Sequence, residues 1–344
     1  MSDLEEELND IFEDIPWTEE IPPAFEKEMS KKISTPSAPV SEFDFSLIER
    51  LHESNRNMAE KAINRIDSYI EILEQKIFFI NQELTNALPF CRDNFYLMMT
   101  QTGGGKSTIA SNISYSLYKQ KKKTLIISNE EGAEDVLMRI ACLELGLSFN
   151  SYKKGKMESA QIQNCKDLFP SIADCVQIFG INEDGMSPTS ADDVESILEG
   201  SLKYDYSAII IDYFQLIRSR RNSQKNTYEI LDELRIYLQK FMKKSKAPLV
   251  VMSQLYSQGK RKSTDIDARL KNNSNILETA TVAIEIIPDF AERSSTFKVH
   301  KDRFGNTGKE LKFFFKNGQY IPYGDITMED KLGLENFENI VIKD

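Results

Sequence analysis

Histidine and cysteine are scarce in this chain of 344 residues, and the scarcity narrows the chemistry open to it. His52 and His300 are the two imidazoles, and Cys91, Cys142, Cys165 and Cys175 contain no C-x-x-C pair, so no zinc centre is expected. Scattered thiols without a pairing framework suit a cytoplasmic, reducing compartment. No apolar run approaches the ~20 residues that a membrane span requires. The N-terminus has neither the basic nor the apolar region of a secretory leader, and none is expected. Basic side chains are missing where the chain begins: residues 1–30 hold eleven acids against Lys27 alone. That stretch carries −10 of the net charge of −11, which leaves residues 31–344 near −1. The acidity therefore belongs to a tail, and the neutral body is free to bind nucleic acid.

What is present suits one large domain of about 230–250 residues with appendages. Residues 1–42 combine acids with Pro16, Pro22, Pro23, Pro36 and Pro39 and read as a disordered tail, having too little apolar surface to offset chain entropy. Apolar beads sit among the acids at Ile11-Phe12, Ile15-Pro16-Trp17 and Ile21–Phe25, which leaves two readings open: a docking tail or a solvating one. Residues 43–87 read as one helix. Asp44 or Ser46 is placed to cap it, and Ile66, Ile70, Leu73, Ile77, Ile80 and Leu84 form a heptad seam. That stripe must pack on the body, on a partner helix or on a neighbouring subunit. The domain proper is expected over 88–325, with a loose polar tail at 326–344.

Past Pro89 the pattern alternates strand and helix. Strands are expected at Tyr96–Met99, Thr124–Ser128, Val176–Gly180, Ala208–Asp212 and Pro248–Gln254, with helices at Ser107–Lys119, Ala133–Leu145, Ala191–Leu202 and Thr227–Lys244. Runs such as Ala208-Ile-Ile-Ile211 are apolar on both faces, as in buried parallel strands, so the fold class is α/β with a doubly wound, mostly parallel sheet. Beyond Val282 come only strands: Val282–Ile287, Thr296–Arg303, Glu310–Phe315 and Gln319–Tyr323, the last two joined through Asn317-Gly318 as an antiparallel pair.

The first of these strands runs into Thr100-Gln-Thr-Gly-Gly-Gly-Lys-Ser107, and a helix follows. Backbone N–H groups of such a turn, with the positive end of the helix behind it, cradle phosphate. Thr102, Gly103, Gly104, Gly105, Lys106, Ser107 and Thr108 are the expected ATP-binding residues. Lys106 would reach the β- and γ-phosphates and Ser107 would hold Mg²⁺. The usual pattern opens on glycine, where this chain has Thr100. Asp212 closes a buried strand and is the expected second Mg²⁺ residue. Glu130 closes another, on the strand expected beside the first, and is the candidate base that polarises the attacking water, with Glu131 as the weaker substitute. Gln254 closes a third and is placed to sense the γ-phosphate.

These segments resemble the motor domain of DnaB-type replicative helicases, a RecA-like fold, and phage-encoded members in particular. Ser128-Asn-Glu-Glu131 with Glu134–Arg139, Ile211-Asp-Tyr-Phe-Gln-Leu216, Met252-Ser-Gln-Leu255 and His300–Gly308 match the family's motifs in order over about residues 90–323. The resemblance implies Lys106, Glu130, Asp212 and Gln254 in the catalytic roles above. It also implies Lys301 and Arg303 donated to the nucleotide of an adjacent subunit, Arg303 as arginine finger. Single-stranded DNA would meet two basic clusters at the ligand edge: Arg218, Arg220, Arg221 and Lys225, then Lys260, Arg261 and Lys262. By resemblance Lys271, Asn272 and Ser274 join them, although Asn272 and Ser274 replace the family's acidic residue and glycine. The family's N-terminal primase-binding domain has no counterpart, so a primase or loader would be met through the acidic tail. The expectation is a ring helicase, a hexameric homo-oligomer moving 5′→3′ by resemblance. The alternative is a RecA-like ATPase acting as recombinase, loader or regulator without unwinding.

Overall fold

Strand segments apolar on both faces demand cover on both faces, and that requirement builds this protein around one sheet. In the computed structural model, the described residues are 53, 58, 79–88, 90–91, 94–181, 190–218, 224–256, 266–270 and 275–326. The chain divides into Met1–Asn64 and Arg65–Asp344, and of the first unit only the exposed helical residues Glu53 and Met58 are described. The expected acidic tail, most of the 43–87 helix and residues 327–344 lie outside the described residues.

The first element described in the second unit is a short helix α1 (Gln82–Ala87), followed by β1 (Phe95–Gln101), α2 (Lys106–Lys119), β2 (Thr124–Gly132) and α3 (Ala133–Glu144). Next come α4 (Phe149–Lys153), α5 (Ser159–Cys175), β3 (Val176–Ile181), α6 (Ala191–Ser201), β4 (Ala208–Asp212), a 3-10 turn (Phe214–Leu216), α7 (Thr227–Met242) and β5 (Leu249–Leu255). The last third holds α8 (Ile266–Arg269), α9 (Ile276–Thr279), β6 (Val282–Asp289), β7 (Ser294–Asp302), β8 (Glu310–Lys316) and β9 (Gln319–Pro322). The nine strands run in the order β3-β2-β4-β5-β1-β6-β7-β8-β9, parallel as far as β6 and antiparallel from there on.

Alternate strand residues supply the two cores. Tyr96, Met98, Ile126, Ile210 and Val250 face α2, α3 and α5, while Leu97, Met99, Ile127, Ile211 and Val251 face α6 and α7. On α2, Ile109, Ile113 and Leu117 are fully buried, each worth about 1.5–3 kcal/mol of transfer free energy.

Three expectations are corrected. The single helix through Asn86 is broken at 79–81, where the chain bends and Asn81 caps the new helix α1 through Leu84 N. Phe79 instead stacks on Phe90, with centroids 4.4 Å apart, and Leu84 is buried in this unit's own core. The stretch 146–175, where no element is expected, holds two helices; Pro170 and scattered polar residues hide the period of α5. Lastly, β2 is not beside β1: β4 and β5 stand between them, and β1 pairs with β5 and β6. Strands that are apolar on both faces carry no pattern that names their neighbours.

Candidate functional site

Four polar strand ends meet at one edge of the sheet. β1 runs into a turn in which Gly103 and Gly105 take φ of 75° and 89°, a left-handed region that favours glycine. Gly105 is the N-cap of α2 and supplies no side-chain cap, so the first N–H groups of this 14-residue helix stay open to an anion. Lys106 is 8 % exposed, its Nζ 4.4 Å from the centre of the Tyr213 ring. Ser107 stands beside Asp212, close enough for its hydroxyl to favour the carboxylate form.

Asp212 ends β4, paired with Ser128 across β2. It is 3 % exposed, and its Oδ1 has no partner among the described residues. Burial raises its carboxyl to about 7; the Ser107 hydroxyl and Lys106 pull the other way, while Glu131 and Glu130 push it up further. A buried carboxylate oxygen with no donor, next to the serine that opens α2 behind the phosphate turn, fits a hard cation held with phosphate.

The two glutamates at the end of β2 separate clearly. Glu130 is exposed at the edge. Glu131 is half-buried and accepts from Arg139 Nη2 at 2.5 Å, and that guanidinium lies 4.0 Å from the Phe149 ring centre. Burial raises the Glu131 carboxyl, and Arg139 opposes the shift.

Gln254 is the next-to-last residue of β5, in register with Thr100. Its side-chain amide donates to Thr102 Oγ1 in the phosphate turn. Its backbone N–H donates to Gln215 Oε1 at 3.1 Å, and Gln215 Nε2 reaches Ser253 Oγ at 2.7 Å. Gln215 thus ties the glycine turn to the 3-10 turn that leads into Arg218. It lies inside the hexapeptide 211–216, yet sequence reasoning gave it no role.

Beside the turn opens a cavity of about 580 Å³, walled by Gly104, Thr108, Asp289, Phe290, Arg293 and Tyr320. A larger cavity of about 800 Å³ follows the edge strand β3, between Phe179, Ile197 and Tyr204, away from all these residues.

Lys301 and Arg303 are not gathered here. β6 runs parallel to β1 and β7 returns antiparallel, which leaves the end of β7 at the opposite edge of the sheet. Arg303 N bonds Thr281 O at 3.2 Å, whereas Thr100, near the end of β1, meets Ile286 O five residues further along β6. At ~3.3 Å per residue the separation along the strand is on the order of 16 Å, before the turn itself is crossed. The Arg303 side chain is exposed. Lys301 Nζ donates to the carbonyls of Leu277 and Glu278, at 2.9 and 2.8 Å, at the end of α9. Burial and the neighbouring Arg303 lower its pKa.

Of the residues expected at DNA, Arg218 is exposed at the ligand edge and bridged to Ser190, and Lys225 pairs with Glu233 of α7. Arg220, Arg221, Lys260, Arg261, Lys262, Lys271, Asn272 and Ser274 lie outside the described residues. Between the last two clusters sits α8, whose Arg269 forms a buried ion pair with Glu285, which also holds His300. Nothing in the spacing of these three residues announced their meeting.

The DnaB-like helicase C terminal domain model matches residues 82–321. Among curated proteins, the chain is 24 % identical over 169 residues to the replicative DNA helicase DnaB of Geobacillus stearothermophilus and, equally, to the replicative DNA helicase DnaC of Bacillus subtilis (strain 168). These matches cover 48 % of this chain and 36 % of each relative, so the matched part spans about a third of the relatives' length. Among solved structures, one ATPase domain superposes with a TM-score of 0.62 at 15 % identity, covering 76 % of this chain and 98 % of that one. A DnaB-like replicative helicase, solved in a study of its interactions with primase, gives 0.61 at 15 % identity, covering 76 % and 66 %. At such identities these two likenesses speak for the fold, which is the RecA-like α/β sheet.

Proposed function

Because this chain belongs to the DnaB-like helicase C-terminal domain family, we propose that it is an ATP-driven DNA helicase motor whose nucleotide is hydrolysed at the seam between two copies. The observation that carries this reading is the separation of Arg303 from the phosphate turn across the sheet. An exposed cation on one edge and an open phosphate pocket on the other suit head-to-tail association, in which each copy completes its neighbour's site. Such an interface closes into a ring when its rotation divides the circle, and a hexamer is the ring we propose.

In this scheme the turn 102–105 and the N–H groups of α2 hold the triphosphate, and Lys106 leaves the Tyr213 ring to bind the β- and γ-phosphates. Ser107 and Asp212 hold Mg²⁺, which supplies charge neutralisation on the phosphate oxygens when bound. Glu130 takes the proton of the attacking water. Arg303 of the neighbouring copy meets the charge that develops on the transferred phosphoryl group, a contribution on the order of 10³-fold or more. Gln254, bonded to Thr102 and Gln215, links the state of the phosphate turn to the segment around Arg218. The basic residues at 218–225, 260–262 and 271–274 track the phosphates of single-stranded DNA without reading bases. A primase or loader meets the acidic N-terminal segment.

A forked-duplex strand-displacement assay, run with DNA-stimulated ATP hydrolysis, tests the reading. Wild-type protein should unwind the fork, and Arg303→Ala mixed with wild type should depress activity more steeply than dilution. A linear fall would remove the role in trans. Hydrolysis and filaments without unwinding would turn the reading toward a recombinase or loader.

A further inference from the structure

Thr100 stands where the phosphate-turn pattern has glycine, and it is buried, 1 % exposed. Its Oγ1 lies 2.9 Å from Ile286 O and 3.3 Å from Gly104 O. A hydroxyl has one proton to donate, and the shorter contact is the one to β6. Backbone pairing of β1 with β6 runs from Tyr96↔Val282 to Met99↔Glu285. The threonine hydroxyl therefore adds a side-chain rung just beyond that register, at the root of the phosphate turn. On the turn side it meets the Gly104 backbone closely. A Cβ on Gly104 would fall 2.0 Å from Thr100 Oγ1, although the Gly104 backbone is not in the left-handed region. The main obstacle to a side chain at 104 is thus Thr100, with the Gln101 carbonyl next at 3.0 Å. Past Ile286, β6 ends at Asp289, and the chain goes on through Phe290 and Arg293 in the wall of the cavity beside the turn.

We propose that Thr100 is a positioning residue: its hydroxyl pins the phosphate turn to β6 and sets the width of the nucleotide cavity, with Gly104 as its obligate complement. The proposal rests on the nucleotide-binding reading above. Thr100→Val keeps the shape and removes the donor, leaving the Ile286 and Gly104 carbonyls without it. Losing a neutral hydrogen bond of this kind should weaken MgATP binding about five- to tenfold.

The test measures MgATP affinity by calorimetry, KM and kcat for hydrolysis, and thermal melting of full-length variants. Thr100→Ser should keep the affinity. Thr100→Val should raise Kd and KM together about five- to tenfold while kcat stays within about twofold. Gly104→Ala should lose affinity or melt early, and adding Thr100→Gly should restore most of the loss, because the atom struck by the new Cβ is gone. Thr100→Val with unchanged Kd, or Gly104→Ala equally damaging in both backgrounds, would overturn the proposal. Lys106→Ala is the control. If it binds MgATP as wild type does, the nucleotide reading itself falls, and this inference with it. If it loses MgATP while Thr100→Val keeps it, this inference alone falls.

Discussion

Arg269 Nη2 lies 2.6 Å from Glu285 Oε1, and both side chains are sealed from solvent. Glu285 gives its second oxygen to His300 Nε2 at 2.8 Å, so one buried carboxylate joins α8, β6 and β7. Burial pushes this carboxyl up, but the bonds from His300 and Arg269 outweigh it and hold it below the ordinary carboxylate range. A buried ion pair is costly to break from one side, because the charge left behind has no water to turn to.

Glu285→Gln should therefore destabilise the domain by about 3 kcal/mol and lower its melting temperature by several degrees. A group with a depressed folded-state pKa stabilises above its unfolded value and loses that contribution as pH falls through the folded one. Wild type should lose stability on acidification from pH 4.5 downward, and the variant should lose less over the same range. Equal melting of the two proteins at pH 7 would show the cluster to be idle.

Glu130 and Glu131 adjoin in sequence but not in circumstance. Glu130→Gln should leave MgATP binding intact and reduce hydrolysis by about 10²–10⁴, the usual worth of a positioned base. Glu131→Gln removes the partner of Arg139, so it should lower the melting temperature and change kcat little. Single-turnover hydrolysis beside thermal melting separates the two. Reversed effects would move the base to Glu131.

Lys301 is held by its own chain, whereas the Arg303 side chain is exposed. Its ammonium serves two carbonyls at the end of α9, where a cation also meets the negative end of the helix. Lys301→Met should cost on the order of 1 kcal/mol of stability, whereas Arg303→Ala, exposed, should leave melting within about 0.5 kcal/mol. Differential scanning calorimetry of the pair decides it. A Lys301→Met protein that melts like wild type would mean those two hydrogen bonds contribute nothing.

Much of this protein is fixed locally. The apolar runs ending in Asp212, Glu130 and Gln254, and the glycine turn before Lys106, form their strands and their helix start from periodicity and positive-φ demand alone, and every one of these elements stands where the sequence puts it. The order of the strands is another matter. A strand that is apolar on both faces accepts any neighbour, so the placing of β4 and β5 between β1 and β2 is settled by how the crossover helices pack. The same holds for contacts between residues far apart in sequence. Thr100 with Ile286, Arg269 with Glu285 and His300, and Gln215 with Ser253 follow no period, since they exist only once the sheet has brought their backbones to one level. Residue types decide which chemistry can occur. The distance from Arg303 to the phosphate turn is set by the folded sheet alone, which holds that cation away from the turn of its own copy.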